Sequence, residues 1–372
     1  MKNLLFLINL SCILFCSAQI ETSATIETNT GFEHNIFKFP NTYVDSNGNT
    51  ITGSDALASS FYQRFYARLA AKRTWRKSEL SLSFSPQARV YYSESDASYS
   101  EFFTKLQYDY YFATNTKLKT AIWYRLKDRE GLNADASDLA FPLGYNHYGL
   151  YSNLDFRLHK NNRSQLRLSV NSKNYDATQT SELSYNAIAG KYVFKNIFKR
   201  RMGYHHYGFE LNYNNKTFTR AQNSGSDNFT WQDASIQLFY KYPVSKPIDI
   251  KAMLTYKIRK DNNDDAFSFK QISPALNLRY NTKSWDANFT TSYTLRNYET
   301  IEATNSNDEF LGELEYKYIQ FNLTIEKEIN DKWTVFLNGN FTNRNSNRTN
   351  INSVFFRSYD YSDLSLGLTF RF

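Results

Sequence analysis

Five histidines are the side chains whose ordinary pKa best suits proton transfer or metal binding near neutral pH. His205 and His206 are adjacent, so on an extended strand they point to opposite faces and form no chelate. His147, with Asn146 beside it, is a candidate lone base. The reading adopted is a polar wall residue, because His206, the other inward-phase histidine, falls near the opposite end of its own segment. Cys12 and Cys16 both lie in the opening segment, so a chain cleaved behind it has no thiol for a disulfide, a nucleophile or a metal cluster. No Walker loop, dinucleotide fingerprint, HExxH helix or nucleophile elbow occurs. The expectation is a non-enzyme without cofactor or metal.

What remains is charge. The formal net charge is +8, from 44 Lys and Arg against 36 Asp and Glu. Basic residues alternate with apolar ones in Arg64, Arg68, Arg89, Lys105, Lys119, Arg125, Arg157, Arg167, Lys251, Arg279 and Arg296. Inward-phase carboxylates such as Glu27, Asp109, Glu210 and Asp233 are fewer. A wall with surplus cations, facing water between low-dielectric sides, concentrates anions. The competing reading is that the cations pair with those carboxylates and fill the space. Inward Tyr62, Tyr66, Tyr91, Tyr111, Trp123, Tyr151 and Tyr175 can stack on sugars or serve as filler. A basic surface can also bind nucleic acid, but export and the inward placement of charge oppose that partner.

The elements that carry these residues are strands. Hydrophobic residues are only 41% of the chain, aromatics reach 17%, and no apolar run of about 20 residues exists, which excludes a helical membrane bundle. From Ile20 onward the pattern has period two. Phe61, Phe65, Ala67 and Leu69 share one face, with Tyr62, Arg64, Tyr66 and Arg68 on the other. Leu118, Ile122 and Leu126 oppose Lys119, Trp123 and Arg125. Sixteen such segments begin near residues 21, 59, 78, 102, 116, 145, 164, 182, 203, 231, 248, 268, 285, 313, 333 and 357. Short basic turns alternate with longer acidic connections, among them 34–57, 128–142 and 299–313. Pro274, lacking an amide proton, predicts a local bulge.

Residues 1–18 have the charged start, short apolar core and small-residue end of a signal peptide, leaving 19–372 as one domain. Sixteen amphipathic strands suit a soluble sandwich or a closed membrane barrel. An export signal, an even strand count, alternating connection lengths and aromatic strand ends select the barrel. The predicted class is all-β: a transmembrane antiparallel β-barrel of about 16 strands (14–18), its apolar stripes toward lipid and its charges toward a lumen.

The chain ends Asp363-Leu364-Ser365-Leu366-Gly367-Leu368-Thr369-Phe370-Arg371-Phe372. This resembles the terminal signal of Gram-negative outer-membrane barrels, with Leu364, Leu366, Leu368, Phe370 and Phe372 as its apolar stripe. The resemblance implies insertion by the barrel-assembly machinery, contact with outer-membrane lipid and lipopolysaccharide, short turns in the periplasm and long loops outside. The whole looks like a porin. By that likeness 128–142 folds into the lumen as a constriction, with Asp128, Glu130, Asp135 and Asp138 facing the basic wall. No plug domain is seen before the first strand, against a TonB-dependent transporter. The function implied is passive diffusion of small hydrophilic solutes, preferentially anionic or neutral. The alternative is a non-conducting accessory barrel in an envelope secretion, lipoprotein-export or barrel-assembly complex; the partners expected are such a complex or further copies in a homo-oligomer. Outer clusters such as Asp261, Asp264 and Asp265 are read as solvated, with divalent-cation bridging to lipopolysaccharide as the alternative.

Overall fold

The structure, a computed structural model, describes residues 20–44, 48–52, 57–131, 141–142, 144–175, 184–218, 229–262, 267–353 and 356–372. The signal segment 1–18 lies outside them. Sixteen long strands follow one another: β1 (Ile20–His34), β2 (Ser60–Thr74), β3 (Ser78–Tyr91), β4 (Tyr99–Ala113), β5 (Thr116–Gly131), β6 (Tyr145–Phe156), β7 (Asn162–Tyr175) and β8 (Tyr185–Arg200). Then come β9 (Gly203–Phe218), β10 (Phe229–Pro243), β11 (Ile248–Asp261), β12 (Phe269–Asn281), β13 (Trp285–Thr304), β14 (Phe310–Glu328), β15 (Trp333–Ser346) and β16 (Tyr359–Arg371). Each starts within three residues of its predicted position.

Every strand pairs antiparallel with its chain neighbours, and β1 pairs with β16 from Thr25↔Arg371 to His34↔Ser362. The sheet is therefore a closed barrel with no free edge. Its apolar faces meet no second layer. Leu69, Leu106, Ile122, Leu168, Ile188, Leu238 and Leu366 are all exposed on the outside, whereas inward Ala121, Asn153 and Asp363 are buried. Between the tyrosines and tryptophans near the two rims, the outward phase carries no Lys, Arg, Asp or Glu among the described residues. Trp285, Trp333, Tyr240 and Tyr280 lie toward the short-turn rim and Tyr124, Tyr148, Tyr213, Tyr256 and Tyr293 toward the other. An uncharged belt between aromatic girdles is what a bilayer requires, since one cation at its midplane costs about 2–4 kcal/mol.

The closing seam needs glycine. A Cβ on inward Gly31 would lie 2.6 Å from the Leu364 carbonyl oxygen and from the Tyr62 ring. Tyr62 packs flat over that backbone and is 1% exposed.

Two expectations about the strands change. Pro274 introduces no bulge: the β12–β13 register is the same at Ile272↔Leu295 and Ala275↔Ser292, and only the rungs between are missing. The lost amide proton removes pairing without adding a residue. The predicted connection 299–313 is mostly strand, since β13 continues to Thr304 and β14 starts at Phe310, with register shifts between Asn297 and Thr304. Its carboxylates face water above the girdle, where strand needs no apolar alternation.

Candidate functional site: the lumen

Period-two alternation fixes which side chains enter the lumen, and cross-strand register fixes which of them meet. Nearly all the predicted wall cations lie inward, but they divide into two sets. Arg64 pairs with Glu27 at 2.5 Å, Arg125 with Glu101 at 3.5 Å and Arg279 with Asp286 at 2.6 Å. Arg89 contacts Glu33 at 2.6 Å and Asp363 at 3.6 Å. Arg68, Lys105, Lys119, Arg167, Lys251 and Arg296 have no carboxylate within 4.0 Å among the described residues. Arg167 instead lies over the Tyr151 ring at 3.9 Å, and Arg296 over Phe269 at 4.4 Å.

Arg157 is different. It follows the last residue of β6 and sits exposed in the 157–161 turn, so it is not part of the wall. Its phase is inward, but the strand has already ended.

The Arg89 contacts form a lock across the seam. Tyr91 donates to Glu33, Tyr361 donates to Glu33 at 3.1 Å, and Tyr62 donates to Asp363 at 2.6 Å. Arg89 lies over the Tyr62 ring at 4.1 Å. Two carboxylates therefore absorb one guanidinium, and Arg89 joins β1, β3 and β16 rather than offering a free positive charge.

Around the mid-depth of β2–β5 the balance is opposite. Lys105 feels the positive charges of Arg68, Lys119 and Arg167. Asp109 acts against them but is held by Lys117 at 2.5 Å and by Gln107 at 3.0 Å. Ser83 and Ser85 are small, so the wall is recessed there. Arg68, Lys105, Arg125, Glu101, Gln87, Tyr66 and Phe103 surround a cavity of about 330 Å³.

Above it, the first long connection turns inward. Ile36 is buried against Tyr62, Tyr91 and Ala97, and Phe37 reaches to 5.8 Å from the guanidinium of Arg129 on β5. Asn35 is fully buried, and its amide bonds the Phe39 carbonyl and the Asp360 carbonyl, both at 2.8 Å. Those bonds hold Asn35 and Lys38 in left-handed conformation, at φ 54° and 58°. Lys38 stacks on Tyr361 at 4.3 Å. Loss of hydration lowers its pKa; Glu33 opposes this and Arg129 adds to it.

The segment assigned to a constriction, 128–142, begins differently. Residues 128–131 continue β5. Asp128 pairs with Ser100 on the outward phase, and Glu130 and Gly131 pair with Pro142 and Phe141. Both ends of this connection thus extend the sheet. Asp135 and Asp138 lie outside the described residues. Lys127 ends the expected strand on its polar face and Arg129 lies in the added part of β5; both enter the lumen and stack on Tyr99 at 4.1 and 5.7 Å. Sequence reading also left out Arg259 and Arg344. Arg259 clamps Asp233 through two bonds of 2.8 and 3.2 Å, and Arg344 lies 4.6 Å from Tyr316. The period-two phase, carried on to the strand ends, puts all four on the inner face.

His147 faces inward, shares a 3.1 Å hydrogen bond with Asn171, and sits among Trp123, Tyr145 and Tyr185. His206 lies beside Lys195, Lys241 and Asp249 on the short-turn side. The outer carboxylates hold the loops themselves, Asp261 within its own and Asp308 between two. Asp261 accepts from the Phe267 amide at 3.2 Å, and Asp308 accepts from Asn350 at 2.8 Å. Asp264 and Asp265 lie outside the described residues.

This closed sixteen-stranded antiparallel architecture, with its uncharged belt and inward charges, is that of a transmembrane β-barrel. Among solved structures it is similar to the Acinetobacter baumannii protein OccAB1, with 8% identity, 94% of this chain and 96% of that chain covered, and a TM-score of 0.52. It is also similar to OccAB3 of the same organism, with 10% identity, 96% and 100% coverage, and a TM-score of 0.50. A bacterial polysaccharide outer membrane secretin matches with 9% identity, 94% and 98% coverage, and a TM-score of 0.51. No family model matches the sequence, and no curated protein does.

Proposed function

We propose that this barrel is an outer-membrane porin-like channel for passive diffusion of small hydrophilic solutes, preferentially anionic or neutral. The observation that carries this reading is the mid-depth cluster of Arg68, Lys105, Lys119 and Arg167, none of which has a carboxylate within 4.0 Å among the described residues. Cations that faced no current of solutes would be stabilised by inward carboxylates, as Arg89 and Arg259 are. The proposed orientation puts the short turns in the periplasm and the long connections outside, with outer-membrane lipid and lipopolysaccharide against the belt. Leu364, Leu366, Leu368, Phe370 and Phe372 are the stripe offered to the assembly machinery. The narrowing of the path is assigned to the inward turn 35–39.

Purified protein in planar bilayers should show stepwise conductance, and a salt gradient should give a reversal potential of anion-preferring sign. Lys105→Gln should move that potential toward zero. Silence at every voltage would sink the channel reading.

The turn across the mouth favours a second reading, a non-conducting accessory barrel of an envelope assembly. A partner retained at stoichiometric amounts through gentle detergent extraction supports it; an isolated monomer or homotrimer opposes it.

A further inference from the structure

We infer that the mid-depth recess between β2 and β5 is a binding subsite for a carboxylated sugar. The inference rests on the channel reading and names the class of solute that the wall selects.

The recess brings three kinds of group together. Arg68, Lys105 and Arg125 supply planar and point-charge donors for a carboxylate. Glu101 and Gln87 supply carbonyl-type acceptors for hydroxyls, and Ser83 and Ser85 can both donate and accept. Tyr66 and Phe103 supply ring faces on which the C–H edges of a pyranose pack.

Each simpler ligand uses only part of this set. An inorganic anion takes the cations and leaves the rings and acceptors idle. A neutral sugar takes rings and acceptors and leaves Arg68 and Lys105, which have no carboxylate within 4.0 Å among the described residues, without a counter-charge, Lys105 being half-buried. A sugar bearing a carboxylate matches all three. Glu101 does not cancel the site, because its 3.5 Å contact engages only Arg125. The lysine above Asp109 is likewise not drained: Lys105 donates to Gln107 at 3.1 Å, and Asp109 is already held by Lys117. The serines are buried at 6% and 8% exposure, so the recess is built into the wall and not opened by a side-chain rotamer.

The test uses the full chain in planar bilayers, with trigalacturonate, maltotriose and inorganic phosphate as probes of ion-current block. Trigalacturonate should block at about tenfold lower concentration than either other probe, the effect of one charge-assisted hydrogen bond. Arg68→Gln and Lys105→Gln should each erase that preference, as should Ser85→Trp, which fills the recess. Lys260→Gln, on the outward phase, should keep it. Equal block by maltotriose, equal block by phosphate, or a preference that survives all three recess variants would overturn the inference. A channel that does not conduct would refute the pore reading alone. Titration calorimetry in detergent then decides the subsite: trigalacturonate heat in the wild type but not in the recess variants supports it, and no heat in the wild type overturns it.

Discussion

Replacing Arg89 by leucine should destabilise the barrel strongly, for a reason that lies at its closing seam. The Arg89 side chain is 16% exposed, and those of Glu33 and Asp363 are 7% and 11% exposed. Arg89→Leu leaves both carboxylates in the wall without their cation, and two tyrosine hydroxyls still direct protons at acids that have lost their counter-charge. Removing one partner of a buried pair costs about 3–5 kcal/mol. Contact with lumen water moderates this, so a loss of about 3 kcal/mol is expected. The triple variant Arg89→Leu, Glu33→Gln, Asp363→Asn removes the uncompensated charge and should recover most of that loss. The assay is reversible urea unfolding in lipid vesicles, followed by tryptophan fluorescence. Unchanged m-values would show that the same surface is exposed. A single variant within about 0.5 kcal/mol of wild type, the range of an ordinary surface substitution, would refute the seam lock. So would a triple variant no better than the single one.

Three further outcomes follow from other parts of the molecule. Lys38 has a lowered pKa in the docked turn and an ordinary one when the turn is released, so the released form binds the proton more tightly. Docking of 35–39 is therefore weakest below the folded pKa and strengthens as pH rises toward 10.5; single-channel recordings should show longer narrow states in alkaline buffer, and Lys38→Met should show them already at neutral pH. Gly31→Val drives side-chain atoms into Tyr62 and the Leu364 carbonyl and should cost about 1–3 kcal/mol, read as a lower urea midpoint. Leu366→Arg places a cation in the uncharged belt and should cost about 2–4 kcal/mol near the midplane, read as a lower yield of vesicle-inserted protein.

The fold was legible because each strand repeats one instruction. Leu118, Ile122 and Leu126 alternating with Lys119, Trp123 and Arg125 state both the strand and its two environments, and the other segments repeat the statement independently. The strand ends were less legible. Above the girdle both faces meet water, so 299–304 and 128–131 carry no alternation of hydrophobicity to mark them as strand, although they are.

Sequence alone determined the phase of the cations within the membrane-spanning strands, because a strand has only two sides and a bilayer forbids charge on one of them. Only the closed structure decided which inward cations are neutralised and which remain. That outcome depends on register between strands far apart in the chain: Tyr62 meets Asp363 across 301 positions, a contact no local pattern encodes. The same closure set the turn after β1 against the inner wall, with Ile36 packed on Tyr62 and Tyr91 and Phe37 beside Arg129.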